Sequence, residues 1–156
     1  IFAKGKDLCW NAKSPVLREP YADTSLSMHF TNKDRDGRLF RERVINGRTY
    51  RYYADVGRAI GSVWSDCPAM AANTPLRKES TGYPTQKPKS LLRRLVRATT
   101  APGDLVVDAF SGSGALLETC FDEGRAAVGF DIGAASAEIV ATRLGDPKYA
   151  TTFGKL

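Results

Sequence analysis

Asp108 and Asp131 are the residues whose types and positions most directly suggest chemistry, because each ends a short, mainly apolar segment. The first carboxylate is followed by a run of small residues, Ser111-Gly-Ser-Gly114, and then by a segment compatible with a helix. Glycines let the backbone approach a ligand closely and adopt positive φ, and the start of a helix offers free N–H groups. The order strand, glycine loop, helix predicts a nucleotide-binding α/β unit.

The carboxylate of Asp108 distinguishes between the candidate nucleotides. A dinucleotide fingerprint needs a third glycine where this chain has Leu117, and a P-loop needs a lysine directly after Gly114. An acidic side chain before the loop would repel a pyrophosphate but could hold an ammonium group. Asp131, at the end of the next strand, is placed to accept from ribose hydroxyls. The residues therefore favour S-adenosylmethionine over NAD, and a glycine turn without a ligand is the remaining alternative.

Four elements are needed to position this loop, and the sequence predicts all of them. Residues 105–108 and 126–131 are apolar enough for strands, and residues 115–124 and 134–144 have the pattern of helices, the first ended by Gly124. A β-α-β-α order requires a parallel sheet with right-handed crossovers. The predicted fold class is α/β.

A further helix is predicted over residues 89–100, after the rigid turn from Tyr83 to Pro88. Leu91, Leu92, Leu95, Val96 and Thr99 fall on one face of this helix. Its arginines, Arg93, Arg94 and Arg97, are expected to point away from the centre of that face.

The first half of the chain has weaker signals. Residues 1–10 predict two short strands, and residues 11–32 a loop with one short element. Aromatic residues and Thr49 favour a strand over residues 47–53. Residues 59–82 are expected to be rich in loops.

The charge of the chain is unevenly divided. Residues 1–100 carry 19 Lys and Arg against 9 Asp and Glu, whereas residues 101–156 carry 4 against 8. Within residues 33–58 the cations alternate with aromatic side chains, a composition that suits phosphate contacts and base stacking. The alternative is a strand with one solvated and one packed face. The candidate DNA-binding residues are Lys33, Arg35, Arg38, Arg41, Arg48 and Arg51.

Composition excludes several other classes of protein. The cysteines, Cys9, Cys67 and Cys120, are odd in number and lack metal-ligand spacing, and His29 is the only histidine. We therefore predict no metal site and a reduced, cytoplasmic environment. No apolar run approaches the roughly 20 residues that span a bilayer.

Three motifs together resemble the C-terminal half of DNA amino-methyltransferases, the adenine-N6 and cytosine-N4 enzymes in which the catalytic motif precedes the cofactor motif. These motifs are Tyr83-Pro-Thr-Gln-Lys-Pro88, Asp108-Ala-Phe-Ser-Gly-Ser-Gly114 and Gly129-Phe-Asp-Ile132. The resemblance implies a partial Rossmann-like methyltransferase fold with a basic loop and strand insertion. It also implies a DNA-recognition part, residues 1–82, and a cofactor-binding part, residues 83–156.

The resemblance further implies which residues hold S-adenosylmethionine. Asp108 and the glycine loop would line its methionine and adenosine side, Asp131 would bind the ribose, and residues 85–87 would close over the amino-acid end. The full set is Thr85, Gln86, Lys87, Asp108, Phe110, Ser111, Gly112, Ser113, Gly114, Asp131 and Ile132. Two residues depart from the family pattern: Ala109 replaces the usual proline and Ala115 the usual threonine.

The Pro-Pro-aromatic motif that forms the family's catalytic pocket does not occur in this sequence. Because the chain begins with Ile1 rather than Met, we expect it to be the C-terminal portion of a larger assembly. The catalytic motif would come from a preceding segment or a separate chain. The predicted function is S-adenosylmethionine-dependent DNA methylation, of adenine rather than cytosine, in a restriction-modification system of a prokaryote or phage. The alternative is a non-catalytic remnant or subunit that binds DNA or the cofactor.

Overall fold

The computed structural model describes residues 5–6, 8–70, 78–146 and 154, which belong to two compact units. One unit spans residues 12–64, and the other combines the residues before 12 with those from 65 onward. Of the strand pair predicted over residues 1–10, positions 1–4 and 7 lie outside the described residues, and 8–10 have no regular structure. Residues 71–77 of the predicted loop also lie outside them.

The two compact units divide at residue 64, whereas the boundary between the two functional parts implied by the resemblance, at residue 82, stays a prediction. The described residues between 65 and 81 belong to the second unit, and their polar groups have partners there. Asp66 forms an ion pair with Arg94, and Thr81 is hydrogen-bonded to the side chain of Gln86.

The unit of residues 12–64 is mainly antiparallel. A 3-10 turn at Pro15–Leu17 leads into strand β1 (Arg18–Glu19), helix α1 (Asp23–His29) and strand β2 (Asn32–Lys33). Strands β3 (Leu39–Ile45), β4 (Arg48–Tyr53) and β5 (Arg58–Ala59) follow. Strands β2, β3 and β4 form one sheet, and β1 pairs with β5.

A hairpin, β3–β4, is the largest element of this unit. Its turn residues Asn46 and Gly47 have φ values of 49° and 74°, which is the geometry of a type I′ turn that matches the twist of the strands. Strand β4 confirms the prediction for residues 47–53, whereas β3 had no predicted counterpart. Near the other end of the hairpin, Phe40 is buried and the rings of Tyr21 and Phe30 lie 4.6 Å apart.

The second unit contains the predicted β-α-β-α order. Helix α2 (Lys89–Thr99) precedes strand β6 (Leu105–Asp108), helix α3 (Ala115–Asp122), strand β7 (Ala126–Gly129) and helix α4 (Ala134–Arg143). Strands β6 and β7 are parallel, with Leu105 opposite Ala126 and Asp108 opposite Gly129. Both therefore end at the same edge of the sheet, and the α/β prediction is confirmed.

The core of this unit lies between the helices and the sheet. Leu117 of α3 packs with Val140 and Leu144, and Phe121 and Ala127 lie against this cluster. Inward positions at 140 and 144 agree with the helical pattern of the sequence. In the described ranges, no helix is long and apolar enough to cross a membrane.

Arg94, which is expected to point away from the centre of the apolar face of α2, is nevertheless buried. Arg94 is only 9% exposed, and its guanidinium binds both carboxylate oxygens of Asp66, with Nη1 3.0 Å from Oδ1. Hydrogen bonds from Arg94 lower the pKa of Asp66 below its ordinary value. The side chain is buried because the segment at residue 66 covers this side of α2.

Candidate functional site

The glycine loop connects the end of β6 to the start of α3. Asp108 accepts a hydrogen bond from the backbone N–H of Phe110 over 3.1 Å, and Gly114 N–H donates to the Ser111 carbonyl over 2.7 Å. Gly112 and Gly114 have φ values of 49° and 68°, which side chains disfavour. The backbone therefore forms the tight glycine turn that the sequence predicts after Asp108.

Two side chains fix the backbone of Gly112. Its N–H donates to Asp131 Oδ2 over 2.8 Å, and its carbonyl accepts from the Ser136 hydroxyl over 2.6 Å. The other oxygen of Asp131 accepts from the N–H of Gly133, also over 2.8 Å. Hydrogen bonds from the backbone of Gly133 and then Gly112 lower the pKa of Asp131 below its ordinary value. The structure thus brings the two carboxylates together at one loop.

Ser136 was not predicted as a site residue. Its side chain is 1% exposed, and it lies in the first turn of α4, three residues after Gly133. A serine near the start of a helix does not by itself indicate a functional site, because such residues commonly form hydrogen bonds with nearby backbone groups. The only signal in the sequence was its position in the first turn of the helix that follows Asp131.

Gly112 also lies against Tyr83 of the predicted turn. A Cβ atom on Gly112 would be 2.9 Å from Tyr83 Cε1, so this position has no room for a side chain. The same holds for Gly114, where a Cβ would be 2.9 Å from Val140 Cγ2. The Tyr83 turn and helix α4 therefore enclose the loop from two sides.

The turn from Tyr83 to Pro88 has an unusual backbone at Thr85. Its φ is 62°, a left-handed conformation that a β-branched residue rarely adopts. The ammonium group of Lys87 donates to the carbonyl of Thr85 over 2.7 Å, and both residues are exposed. Gln86 differs from its neighbours because it is buried and hydrogen-bonded to Thr81 and Glu79.

Apolar side chains flank the loop at the carboxyl ends of the strands. Phe110 is 89% exposed and Ile132 is fully exposed. Large apolar side chains with this exposure at the edge of a loop are available to pack against a flat ligand ring. Ser113, in contrast, is a buried residue of the loop.

A cavity of about 400 Å³ includes residues of the loop and of the second strand, among them Ser111, Gly129, Asp131 and Ser136. A larger cavity, of about 930 Å³, lies elsewhere in the same unit and is lined by no residue of the glycine loop. It contains the ion pairs of Glu118 with Lys89 and Arg143. Of the two predicted carboxylates, Asp131 lines the smaller cavity, and Asp108 is not among the residues that line it.

The structure separates the six candidate DNA-binding residues into two groups. Three of them contact groups of their own unit. Arg38 pairs with Asp55 over 2.8 Å, and Arg51 pairs with Glu42 over 2.9 Å. The guanidinium of Arg41 lies between 5.2 and 5.7 Å from the rings of Tyr21, Phe30 and Tyr52.

The second group comprises Lys33, Arg35 and Arg48, all three of which are exposed. Arg48 lies at the turn end of the hairpin, opposite Ile45. Arg43, which the sequence prediction did not include, is opposite Tyr50 and shares a strand face with Arg48, because side chains alternate along a strand. Among the described residues, neither Arg43 nor Arg48 forms an ion pair.

A family model described as DNA methylase matches residues 1–142. The chain belongs to the DNA methylase family. This result confirms the resemblance that the motifs indicated, and a methyl-donor site at Asp108 and Asp131 agrees with membership of a methylase family. The assignment of each site residue stays a prediction.

Individual relatives of this DNA methylase chain cover different parts of it. Type II methyltransferase M.HpaI of Haemophilus parainfluenzae is 34% identical over 98 residues, 60% of this chain and 30% of that protein. DNA adenine methyltransferase YhdJ of Escherichia coli (strain K12) is 39% identical over 72 residues, 46% of this chain and 23% of that protein. Type II methyltransferase M1.MboII of Moraxella bovis is 29% identical over 142 residues, 86% of this chain and 48% of that protein.

The methylase chain therefore spans less than half the length of each of these relatives. Among solved structures, the M1.HpyAVI-SAM complex is similar with 28% identity and a TM-score of 0.43, over 47% of this chain and 35% of that one.

Proposed function

We propose that this chain is the cofactor-binding and DNA-recognition part of an S-adenosylmethionine-dependent DNA methyltransferase. The observation that carries the proposal is the convergence of Asp108 and Asp131 on one glycine loop, where Asp131 is bonded to Gly112. The loop from Asp108 to Gly114 contains no Lys or Arg, so it suits a ligand with cationic groups better than one with phosphates. S-adenosylmethionine carries an ammonium, a sulfonium and a ribose diol, and no phosphate.

The proposed roles are those that the resemblance implies, and the hydrogen bonds of the loop support them. Asp108 binds the ammonium group of the cofactor. Asp131 retains acceptor capacity for the ribose hydroxyls, because a carboxylate has about four lone-pair sites and two backbone N–H groups use only part of them. Phe110 and Ile132 pack against the adenine ring.

At the amino-acid end of the cofactor, Thr85 and Lys87 are exposed on the turn beside the loop, and we propose that Lys87 pairs with the cofactor carboxylate. Ser111, Gly112, Ser113 and Gly114 contribute the loop backbone. Gln86, the remaining member of the predicted set, is buried in this turn, unlike Thr85 and Lys87.

When bound, the cofactor supplies an activated methyl group. The residues of this chain would hold that methyl group in the orientation needed for its transfer, so their contribution to catalysis would be positioning. The Pro-Pro-aromatic motif that would bind a flipped base is absent from this sequence. We propose that this motif is provided by polypeptide outside this sequence, either the same chain or another one, in a cytoplasmic enzyme.

We propose adenine as the target base rather than cytosine. The matching relative YhdJ is a DNA adenine methyltransferase. We also propose that residues 65–146 hold the cofactor and that residues 12–64 contact DNA. The exposed guanidinium groups of Arg43 and Arg48 are the preferred contacts within that unit, together with Lys33 and Arg35.

Calorimetric titration of the chain with S-adenosylmethionine, and separately with NAD, tests the cofactor. We expect binding of S-adenosylmethionine only, and tight binding of NAD alone would contradict the proposal. Asp108→Asn is the matched variant, because it keeps the size of the side chain and removes the charge that attracts the ammonium group.

A reconstitution experiment separates the enzyme from the non-catalytic alternative. The chain is mixed with N-terminal halves of DNA methyltransferases that contain the Pro-Pro-aromatic motif, and transfer of labelled methyl groups to DNA is measured. Transfer supports an enzyme part. Intact cofactor binding without transfer in any combination would favour a remnant that only binds.

A further inference from the structure

Gln86 is buried at the centre of a hydrogen-bonded turn. Its side-chain oxygen accepts from the N–H of Thr81 over 3.1 Å and from the Thr81 hydroxyl over 2.9 Å. Its side-chain nitrogen donates to the carbonyl of Glu79 over 2.7 Å. A carboxamide can make about four hydrogen bonds, so three of its positions already have protein partners. Only 8% of the residue is exposed.

These hydrogen bonds continue to the glycine loop through Tyr83. The Thr81 hydroxyl, which donates to Gln86, also accepts from the N–H of Tyr83 over 3.4 Å. The ring of Tyr83 lies directly against Gly112, where a Cβ atom would be only 2.9 Å from the ring. The order of contacts is therefore Gln86, Thr81, Tyr83 and Gly112.

The other side of the turn is fixed to the helices. The Glu79 carboxylate accepts from the backbone N–H of Lys89 at the start of α2 over 3.3 Å. The Glu79 carbonyl, which binds Gln86, also accepts from Arg143 of α4 over 3.3 Å. Gln86 consequently connects a segment anchored on two helices to the residue that supports the loop.

We infer that Gln86 is a positioning residue: it holds the 79–86 turn so that Tyr83 supports Gly112, and it does not itself contact the cofactor. This role differs from the direct contact that the motif Tyr83 to Pro88 implies. Where cofactor affinity is the measurement, the inference rests on the proposed function. The support of Gly112 by Gln86 through Tyr83, however, can be measured in the free protein without any cofactor.

Hydrogen exchange in the free chain tests that statement. Gln86→Ala is expected to accelerate exchange of the Gly112 and Gly114 amides about tenfold or more, because the loop loses the support of Tyr83. Amides in the middle of α4 are expected to keep their rates. Unchanged loop amides would overturn the inference, and equal acceleration throughout the unit would reduce Gln86 to a general stabilising residue.

A double-mutant cycle tests the route through Tyr83. Gln86→Ala and Tyr83→Ala are each expected to weaken S-adenosylmethionine binding about tenfold, and the double variant also about tenfold, because both act on the same contact. A direct ligand would give independent effects and a loss of about a hundredfold in the double variant. That result would overturn the inference. If the parent chain bound no S-adenosylmethionine, the proposed function would fail, while the exchange experiment would still decide the role of Gln86.

Thr81→Val provides a variant that is less demanding for folding. It removes the hydroxyl between Gln86 and Tyr83 and leaves the glutamine in place. A positioning role predicts weaker cofactor binding and faster exchange of the loop amides, in the same direction as Gln86→Ala. Normal binding in Thr81→Val combined with abolished binding in Gln86→Ala would show that the carboxamide touches the cofactor.

Discussion

The carboxylate of Asp131 accepts a hydrogen bond of 2.8 Å from the backbone N–H of Gly112, which lies 19 residues earlier in the sequence. This hydrogen bond joins the carboxyl ends of the two parallel strands and fixes the orientation of the loop between Asp108 and α3. Asp131 thus has a structural partner besides the ribose that it is proposed to bind. Removing its carboxylate is expected to disturb both the loop and the ligand contact.

Replacement of Asp131 by alanine is expected to weaken S-adenosylmethionine binding about ten- to a hundredfold, because it removes charged hydrogen bonds to the ribose. Asp131→Asn should also bind S-adenosylmethionine more weakly, because its NH₂ group cannot accept a hydrogen bond from a backbone N–H. Calorimetric titration measures both affinities. Unchanged binding in Asp131→Ala would place the ribose elsewhere.

Ser136→Ala is expected to reduce the free energy of unfolding by about 1–3 kcal/mol, because the buried Gly112 carbonyl loses its hydrogen bond. Denaturant unfolding measures this change. Thr142→Ala is the matched control on the same helix, since its exposed hydroxyl only bonds the Glu138 carbonyl of the preceding turn. Equal losses of stability in the two variants would argue against a special role for Ser136.

Gly112→Ala and Gly124→Ala separate backbone strain from steric conflict. Both glycines have positive φ, of 49° and 73°, but a Cβ at Gly124 would meet nothing within 4 Å. Gly124→Ala is expected to cost about 1–2 kcal/mol from backbone strain alone. Gly112→Ala should cost more, because the Tyr83 ring must move, and denaturant unfolding compares them. A smaller loss of stability at Gly112 would contradict the close packing of Tyr83.

Acid is expected to weaken the contact between α2 and the end of α3. Burial alone would raise the pKa of Glu123, but hydrogen bonds from Arg97 and Arg93 outweigh it and hold that pKa below its ordinary value. A carboxyl with a lowered folded-state pKa contributes stability above its unfolded pKa, about 4.3 for glutamate, and loses it as the pH falls through the folded value.

The pH dependence of unfolding tests this expectation. Below about pH 4.3 the parent chain should lose more stability than Glu123→Gln, which has no charge to lose at this position. Glu138→Gln, on α4, is the control with the same change in charge. Parallel acid curves for the parent and Glu123→Gln would contradict the assignment.

DNA binding by the hairpin is expected to depend on Arg43 and Arg48. The double variant Arg43→Ala/Arg48→Ala should reduce the slope of log K against log salt by about 0.9 for each phosphate that the protein no longer neutralises. Arg38→Ala/Arg51→Ala removes the same charge from residues that already pair with Asp55 and Glu42. Fluorescence anisotropy at several salt concentrations compares the two variants, and equal reductions in affinity would indicate a general effect of charge.

The β-α-β-α order, the glycine turn after Asp108 and the family could all be predicted from the sequence. These features depend on residues that are close in the chain: apolar runs, helical spacing and glycines at a tight turn. Each of them imposes its structure locally, because it needs few contacts with distant segments.

The partner of each polar side chain, in contrast, became known only from the folded chain. Arg94 is buried because Asp66 meets it, and Gln86 is buried because Thr81 and Glu79 enclose it. In the hairpin, the register of β3 on β4 places Arg51 opposite its acidic partner Glu42, but Arg43 opposite Tyr50 and Arg48 opposite Ile45. Polar pairing depends on which segments converge in space, and the periodicity of a single segment carries no information about its partner.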